Sequence, residues 1–178
     1  MTRAHLEHII RAAGAIADLE DVVVIGSQAV LGGFPDAPSE LQVSNEADVF
    51  FPQHPERGDL IDATIGEGSP FQRSFGYYAH GVDESTAILP QGWRDRLILV
   101  TGENTRFVGD WCLEVHDLAI AKYAAGREKD LAFTNALARH AMTCREVLEQ
   151  RLASTPVDSQ IQILISRRIQ TDFSGVAR

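Results

Sequence analysis

VVVIGSQAVLGG, residues 22–33, joins an aliphatic run to a glycine turn. Four aliphatic residues in a row, all β-branched, are too short for a helix and read as a buried strand. Gly26-Ser27 then breaks the strand and opens what looks like a helix. A glycine at a strand end followed by a small hydroxyl residue presents backbone N–H groups and lets an anion approach closely, the chemistry of a phosphate seat. The same dipeptide also serves as an ordinary strand-to-helix turn with Ser27 as N-cap, so it needs a second element beside it.

NEADVF, residues 45–50, supplies that element. Acidic and apolar residues alternate, the period of a strand with one polar face, which is expected to pair beside the first strand. Glu46 and Asp48 then project from one face while Ala47 and Val49 point into the core. Two adjacent carboxylates repel each other, and a divalent cation relieves the repulsion; a solvated acidic edge strand is the alternative. A phosphate seat beside a carboxylate pair makes a place for a metal-bound triphosphate.

Outward from this centre, AHLEHIIRAAGAIADL (residues 4–19) repeats apolar residues at three and four, an amphipathic helix with His5 and Glu7 turned outward. PERGDLIDATIGEG (55–68) reads as a short helix stopped by glycine, and residues 75–79, 81–89, 96–100 and 106–113 as strands between turns. From Val115 onward β-branched residues thin out and no proline appears before Pro156, so the pattern is helical. Thr143 and Glu146 have capping-box spacing, Asp117 is placed to cap an earlier helix, and Ser154 or Thr155 before Pro156 to start a later one. The expectation is an α+β protein: a small mixed β-sheet core with flanking helices over residues 1–113, then a helical bundle over 114–178, together one compact unit.

The chain has 178 residues, 44% of them hydrophobic, enough to bury a core without staples. No apolar run reaches the ~18 residues of a spanning helix, and the charged, periodic N-terminus is unlike a signal peptide, so no membrane role and a cytoplasmic location are expected. Cys112 and Cys144 stand far apart without other ligand residues in a metal-binding spacing, and read as buried thiols. The net charge of −9 argues against a protein that coats nucleic acid, while leaving room for a local basic cleft.

A strand ending in Gly-Ser, a short helix and a strand bearing an acidic-x-acidic pair resemble the core signature of the DNA polymerase β-type nucleotidyltransferase superfamily. CLEVHDLAIAKYAAGREKDLAF (112–133), with AAGREKD its most specific part, is similar to a helix of the bacterial abortive-infection and toxin–antitoxin nucleotidyltransferases, and TAILPQGWRDRLILV (86–100) resembles a further segment of that group. The resemblance implies Mg²⁺ or Mn²⁺ on Glu46 and Asp48, the phosphates of a nucleoside triphosphate on Gly26 and Ser27, and a third carboxylate that helps activate the acceptor hydroxyl. Asp83 in GVDESTAIL, on an expected central strand, is the choice for that third position, with Glu84 as its competitor and a plain turn residue as the alternative. Glu46 stands where such enzymes usually carry Asp, and the loop between Ser27 and Glu46 is long for the pattern. The implied acceptor is a hydroxyl on RNA, a protein or a small molecule, with an antitoxin-like partner protein implied only by the toxin–antitoxin likeness. A catalytically inactive nucleotide-binding or interaction module of the same fold is the alternative.

The resemblance further implies that Lys122 and Arg127 contact nucleotide. Read as one helix, HDLAIAKYAAGREKD puts Lys122 and Lys129 on a shared face near Gly126, with Arg127 and Asp130 one turn apart and able to pair; a solvated face with an internal Arg–Asp bridge is the other reading. His80 reads as a turn residue, Trp93 and Trp111 as core or interface anchors, and Arg94 and Arg96 as alternating across a strand.

Overall fold

The computed structural model describes residues 1–105 and 110–174. The chain divides into two units, one of residues 1–86 and 97–113, the other of residues 87–96 and 114–178.

The first unit holds a five-stranded mixed sheet in the order β3-β2-β1-β5-β4: β1 (Val23–Val24), β2 (Glu46–Phe50), β3 (Tyr78–Gly81), β4 (Ile98–Val100) and β5 (Asp110–Cys112). β1 is central because residues 22–25 are aliphatic and buried, which suits only a strand covered on both faces. It pairs antiparallel with β2, Val24 opposite Val49, and parallel with β5, Val24 opposite Cys112. Before β1 runs α1 (Arg3–Ala17), whose Leu6, Ile9, Ile10, Ala13 and Ala17 are buried as its periodicity predicts. Thr2 and His5 cap it reciprocally; His5 also stacks on Tyr77 with ring centroids 4.4 Å apart.

The long connection from β1 to β2 is structured. After the turn come a 3₁₀ segment (Ser27–Ala29), α2 (Val30–Gly33) and a second 3₁₀ segment (Ser39–Leu41). Arg3 ties it to α1 by donating to the carbonyls of Leu31, at 2.5 Å, and Gly32, at 3.1 Å. The glycine-stopped helix is α3 (Gly58–Ile65), preceded by a 3₁₀ turn, and α4 (Pro70–Phe75) follows, capped by Ser69.

Here the strand boundaries differ from those expected. Phe75 closes α4, so the third strand is Tyr78–Gly81, and residues 81–89 contain a 3₁₀ turn (Glu84–Thr86) where a strand was expected. β3 is an edge strand and not a central one. The expected strand at 96–100 shortens to β4; of the one expected at 106–113, Asp110–Cys112 form β5, and residues 106–109 lie outside the described part. Trp93 to Arg96 form a 3₁₀ turn; Trp93 is buried, and the Arg94 guanidinium lies 5.1 Å from its ring centre.

Asp110 on β5 is fully buried, and neither carboxylate oxygen has a hydrogen-bond partner of good geometry. Burial pushes its pKa from 3.8 up to about 8, against a smaller opposing pull from the Val22 amide. The unfolded carboxyl ionises near its ordinary pKa and the folded one resists, so this group's contribution to stability is complete below about pH 4 and is lost as pH rises through about 8. Asp110→Asn is expected to flatten the decline in melting temperature between pH 5 and 8, and an unchanged slope would show that Asp110 is ionised in the folded protein.

The second unit packs four helices, α5 (Val115–Ala125), α6 (Glu128–Arg139), α7 (Arg145–Ala153) and α8 (Ser159–Ser174), around Leu118, Ile120, Tyr123, Leu137, Leu148, Ile165 and Ile169. The helical stretch expected to run through AAGREKD is broken at Gly126, whose φ of 63° ends α5 and whose missing side chain makes room for the Arg168 guanidinium. Lys122 and Lys129 therefore sit on different helices. Glu114, and not Asp117, caps α5, accepting from the amides of His116 and Asp117. α7 starts one residue beyond the expected Thr143 box, with Cys144 at the cap, and α8 starts where the Asp158 carboxylate accepts from the amides of Gln160 and Ile161. His116 links two helix starts: Nδ1 lies 2.7 Å from Glu114 and Nε2 accepts the Cys144 amide at 3.0 Å. Cys112 is buried as expected, its thiol pushed up to about 12 by burial, but Cys144 is exposed. No helix among the described residues is long and apolar enough to cross a membrane.

Candidate functional site

The alternation read in NEADVF is realised on β2. Ala47 and Val49 are fully buried, while Glu46 and Asp48 emerge together on the opposite face, both partly exposed. The antiparallel register places the end of β1 beside Asp48: the Ile25 amide donates to the Asp48 carbonyl at 3.1 Å. One residue further, Gly26 lies against the Asp48 side chain so closely that a Cβ there would fall 1.8 Å from Asp48 Oδ2. The turn thus needs glycine to admit a neighbouring carboxylate. Gly26 caps the 3₁₀ segment by its backbone alone, and Ser27 is the first residue inside it, not the N-cap.

β3 runs parallel to β2 with Glu46 opposite Tyr78 and Asp48 opposite His80. Ala79 is buried like Ala47, so Tyr78 and His80 rise on the face that carries the two carboxylates. His80 Nδ1 is 3.2 Å from Glu46 Oε1 and 3.5 Å from Asp48 Oδ1. One ligand atom each from Glu46, Asp48 and His80 lies within 4.8 Å of the others, which is compact enough for a single cation. Beside this cluster Glu46, Tyr78 and His80 line a shallow recess with Asp62 and Glu67. Burial, followed by the charges of Glu46 and Glu67, raises the Tyr78 phenol above its ordinary pKa. The recess therefore carries negative charge in excess, the environment that concentrates cations.

Asp83 lies apart from this cluster. It stands two residues beyond β3, exposed, its carboxylate accepting the Ser85 amide at 2.7 Å and the Ser85 hydroxyl. Those two bonds hold it below the usual carboxylate range, the geometry of a turn residue. Its competitor Glu84 opens the 3₁₀ turn that follows. His80, expected in a turn, instead lies on β3 beside Glu46 and Asp48. The parallel register of β3 on β2 would have revealed it, but no local pattern encodes that register.

Lys122 and Arg127 belong to the second unit, and both engage Asp130, which is buried. Lys122 Nζ is 3.2 Å from Oδ1 and Arg127 Nε 2.6 Å from Oδ2. Burial alone would raise Asp130, but the Arg127 hydrogen bond and the Lys122 charge outweigh it and hold the carboxyl below its ordinary pKa. The internal bridge foreseen from the Arg–Asp spacing is present, with Lys122 as a third member. Arg96, expected on a strand, instead forks onto buried Asp117, Nε to Oδ2 at 2.8 Å and Nη2 to Oδ1 at 3.0 Å.

No curated protein and no solved structure matches the chain. A family model described as "Nucleotidyltransferase of unknown function (DUF6036)" does, over residues 4–162. With a match running from α1 into the first turn of α8, and with the glycine turn, the acid pair and His80 inside it, the chain belongs to this nucleotidyltransferase family.

Proposed function

We propose that the protein is a metal-dependent nucleotidyltransferase that moves a nucleoside monophosphate from a nucleoside triphosphate to a hydroxyl group on RNA, a protein or a small molecule. The observation that carries this reading is the contact of the Asp48 side chain with Gly26, which sets the carboxylate pair beside the turn read as a phosphate seat. The donor set fits a divalent cation, Mg²⁺ or Mn²⁺, held by Glu46 and Asp48. Bound there, the ion would neutralise the pair and offset the charge of the triphosphate.

In this reading the backbone at Gly26 and Ser27 receives phosphate oxygens, and the acceptor oxygen attacks the α-phosphorus. The bond to the β-phosphate bridge breaks, pyrophosphate leaves, and the hydroxyl proton passes to a carboxylate or to solvent. The resemblance also implies nucleotide contacts for Lys122 and Arg127, which within the second unit both engage Asp130. Asp83 takes the role of activating carboxylate only if its turn rearranges around substrate. Its present place outside the cluster favours the second reading, a nucleotide-binding module without turnover. An antitoxin-like partner belongs to the first reading and rests on the likeness to toxin–antitoxin nucleotidyltransferases.

Incubation with each α-labelled nucleoside triphosphate, Mg²⁺ or Mn²⁺ and separate pools of RNA, protein and small hydroxyl compounds tests the proposal. Label is expected on one pool with wild type and on none with Asp48→Ala. Metal-dependent triphosphate binding without label transfer to any pool would establish the module instead.

Gly26→Ala probes the close approach separately. The backbone φ of −78° accepts alanine, so the methyl group acts by pushing Asp48 aside. Affinity for a divalent cation is expected to fall roughly 10- to 100-fold, as when a ligand's support is removed, with a shift of only a few degrees in melting. Unchanged metal affinity would mean that Asp48 is not a ligand.

A further inference from the structure

We propose that His80 is a direct ligand of the ion held by Glu46 and Asp48, and that its nitrogen makes the site prefer Mn²⁺ to Mg²⁺. The inference rests on the reading of Glu46 and Asp48 as a metal site and adds to it a third ligand and a selectivity.

Distance is the first argument. A charge-assisted N–H···O bond is about 2.7–2.9 Å long, and His80 Nδ1 stands at 3.2 Å from one carboxylate and 3.5 Å from the other. Neither is a good hydrogen bond. Two ligands at about 2.1 Å from one octahedral ion and at right angles to each other lie about 3.0 Å apart, close to the spacings found. The imidazole is placed as one corner of a coordination shell shared with both acids.

Rigidity is the second. A ligand set selects among metals only if its members cannot rearrange freely. His80 sits inside β3, whose ends are pinned by Tyr78 N–H to Asn45 C=O at 2.9 Å and Val82 N–H to Val49 C=O at 2.9 Å. The Gly81 amide next to His80 donates to Asp62 Oδ1 at 2.8 Å, and Gly81 meets Gly58 so tightly that a Cβ would fall 2.2 Å from the Gly58 carbonyl oxygen. The histidine backbone is fixed relative to β2.

Donor chemistry is the third. Mg²⁺ takes oxygen ligands and parts reluctantly with water, whereas a nitrogen donor raises affinity along the first-row series that begins with Mn²⁺. Substituting an imidazole for a third carboxylate also removes one negative charge from the site. The lost charge weakens both dications alike, and the nitrogen donor is what favours Mn²⁺.

The test is Mn²⁺ titration of the whole chain by electron paramagnetic resonance without nucleotide, with Mg²⁺ competition and pulsed detection of nitrogen coupling. Wild type is expected to bind Mn²⁺ with an imidazole-nitrogen signal and to release it only to Mg²⁺ in about 100-fold excess or more. His80→Ala is expected to lose that signal and weaken Mn²⁺ binding roughly 10- to 100-fold. His80→Asp is expected to lose the signal and to need about tenfold less Mg²⁺ for displacement. His80 is half-exposed, so both variants should fold. Bound Mn²⁺ without nitrogen coupling, or an unaltered Mn²⁺/Mg²⁺ ratio in His80→Asp, overturns the inference and leaves the Glu46–Asp48 site standing. Failure of wild type to bind Mn²⁺ overturns both.

Discussion

Asp48→Ala is expected to abolish nucleotidyl transfer, by on the order of 10³-fold or more, and to leave the fold intact. The size follows from losing an interaction worth several kcal/mol to the reacting phosphate, at about 1.4 kcal/mol per factor of ten. Stability is spared because the Asp48 side chain is partly exposed and touches the Gly26 turn, while the strand is held by Ala47, Val49 and Phe50 in the core. Removing one of two neighbouring carboxylates also relieves their repulsion, so without metal the variant should melt at the same temperature as wild type or slightly above. Added divalent cation reverses the ranking: wild type gains stability by ligand linkage and the variant does not. Melting curves with and without 5–10 mM Mn²⁺, a concentration range of roughly this order being ample for a carboxylate site, check the claim alongside the transfer assay. A variant that melts far below wild type would make Asp48 a structural residue.

Asp117→Ala has the largest expected effect on stability. Asp117 is fully buried near the start of α5 and receives a two-pronged bond from Arg96, with Arg151 Nε at 3.2 Å as an off-line ion-pair partner. Both arginine side chains are about four-fifths covered, at 23% and 21% exposure, so neither charge is free to turn to water when the carboxylate is removed. Breaking a buried pair from one side costs about 3–5 kcal/mol, which corresponds to a fall in melting temperature on the order of 10 °C for a chain of this length. Combining Asp117→Leu with Arg96→Met should recover part of the loss, because it removes one of the two stranded charges along with the carboxylate and leaves Arg151. Equal losses in the single and the double replacement would mean that packing, and not charge, is what Asp117 provides.

The parts of this molecule legible in its sequence are those encoded by local periodicity. The aliphatic run at 22–25 and the alternation of NEADVF placed β1, β2 and the shared face of Glu46 and Asp48, because a strand's facing is written in every second residue. The buried stripe of α1 followed from its spacing in the same way. His80 was not legible, since its meeting with Asp48 depends on how β3 docks alongside β2, more than thirty residues away in the chain. Asp83 was expected on a central strand as the third carboxylate, yet it stands beyond the end of β3, where Ser85 holds it in a local turn. AAGREKD looked continuous because alanine and charged residues favour helix on both sides, while Gly126 adopts the left-handed conformation that ends one helix and leaves space for Arg168. Asp117 looked like a cap because it stands near a helix start; Glu114 occupies that role, and Asp117 is committed to arginines distant in sequence.

In the proposed function the Gly26 turn and the Glu46–Asp48 pair form one site for a metal-bound triphosphate. Calorimetric titration with a non-hydrolysable nucleoside triphosphate, with and without Mn²⁺, tests it most directly. Binding is expected to require the cation and to disappear in Asp48→Ala. Equal binding with and without the cation, or unchanged binding in Asp48→Ala, would contradict it.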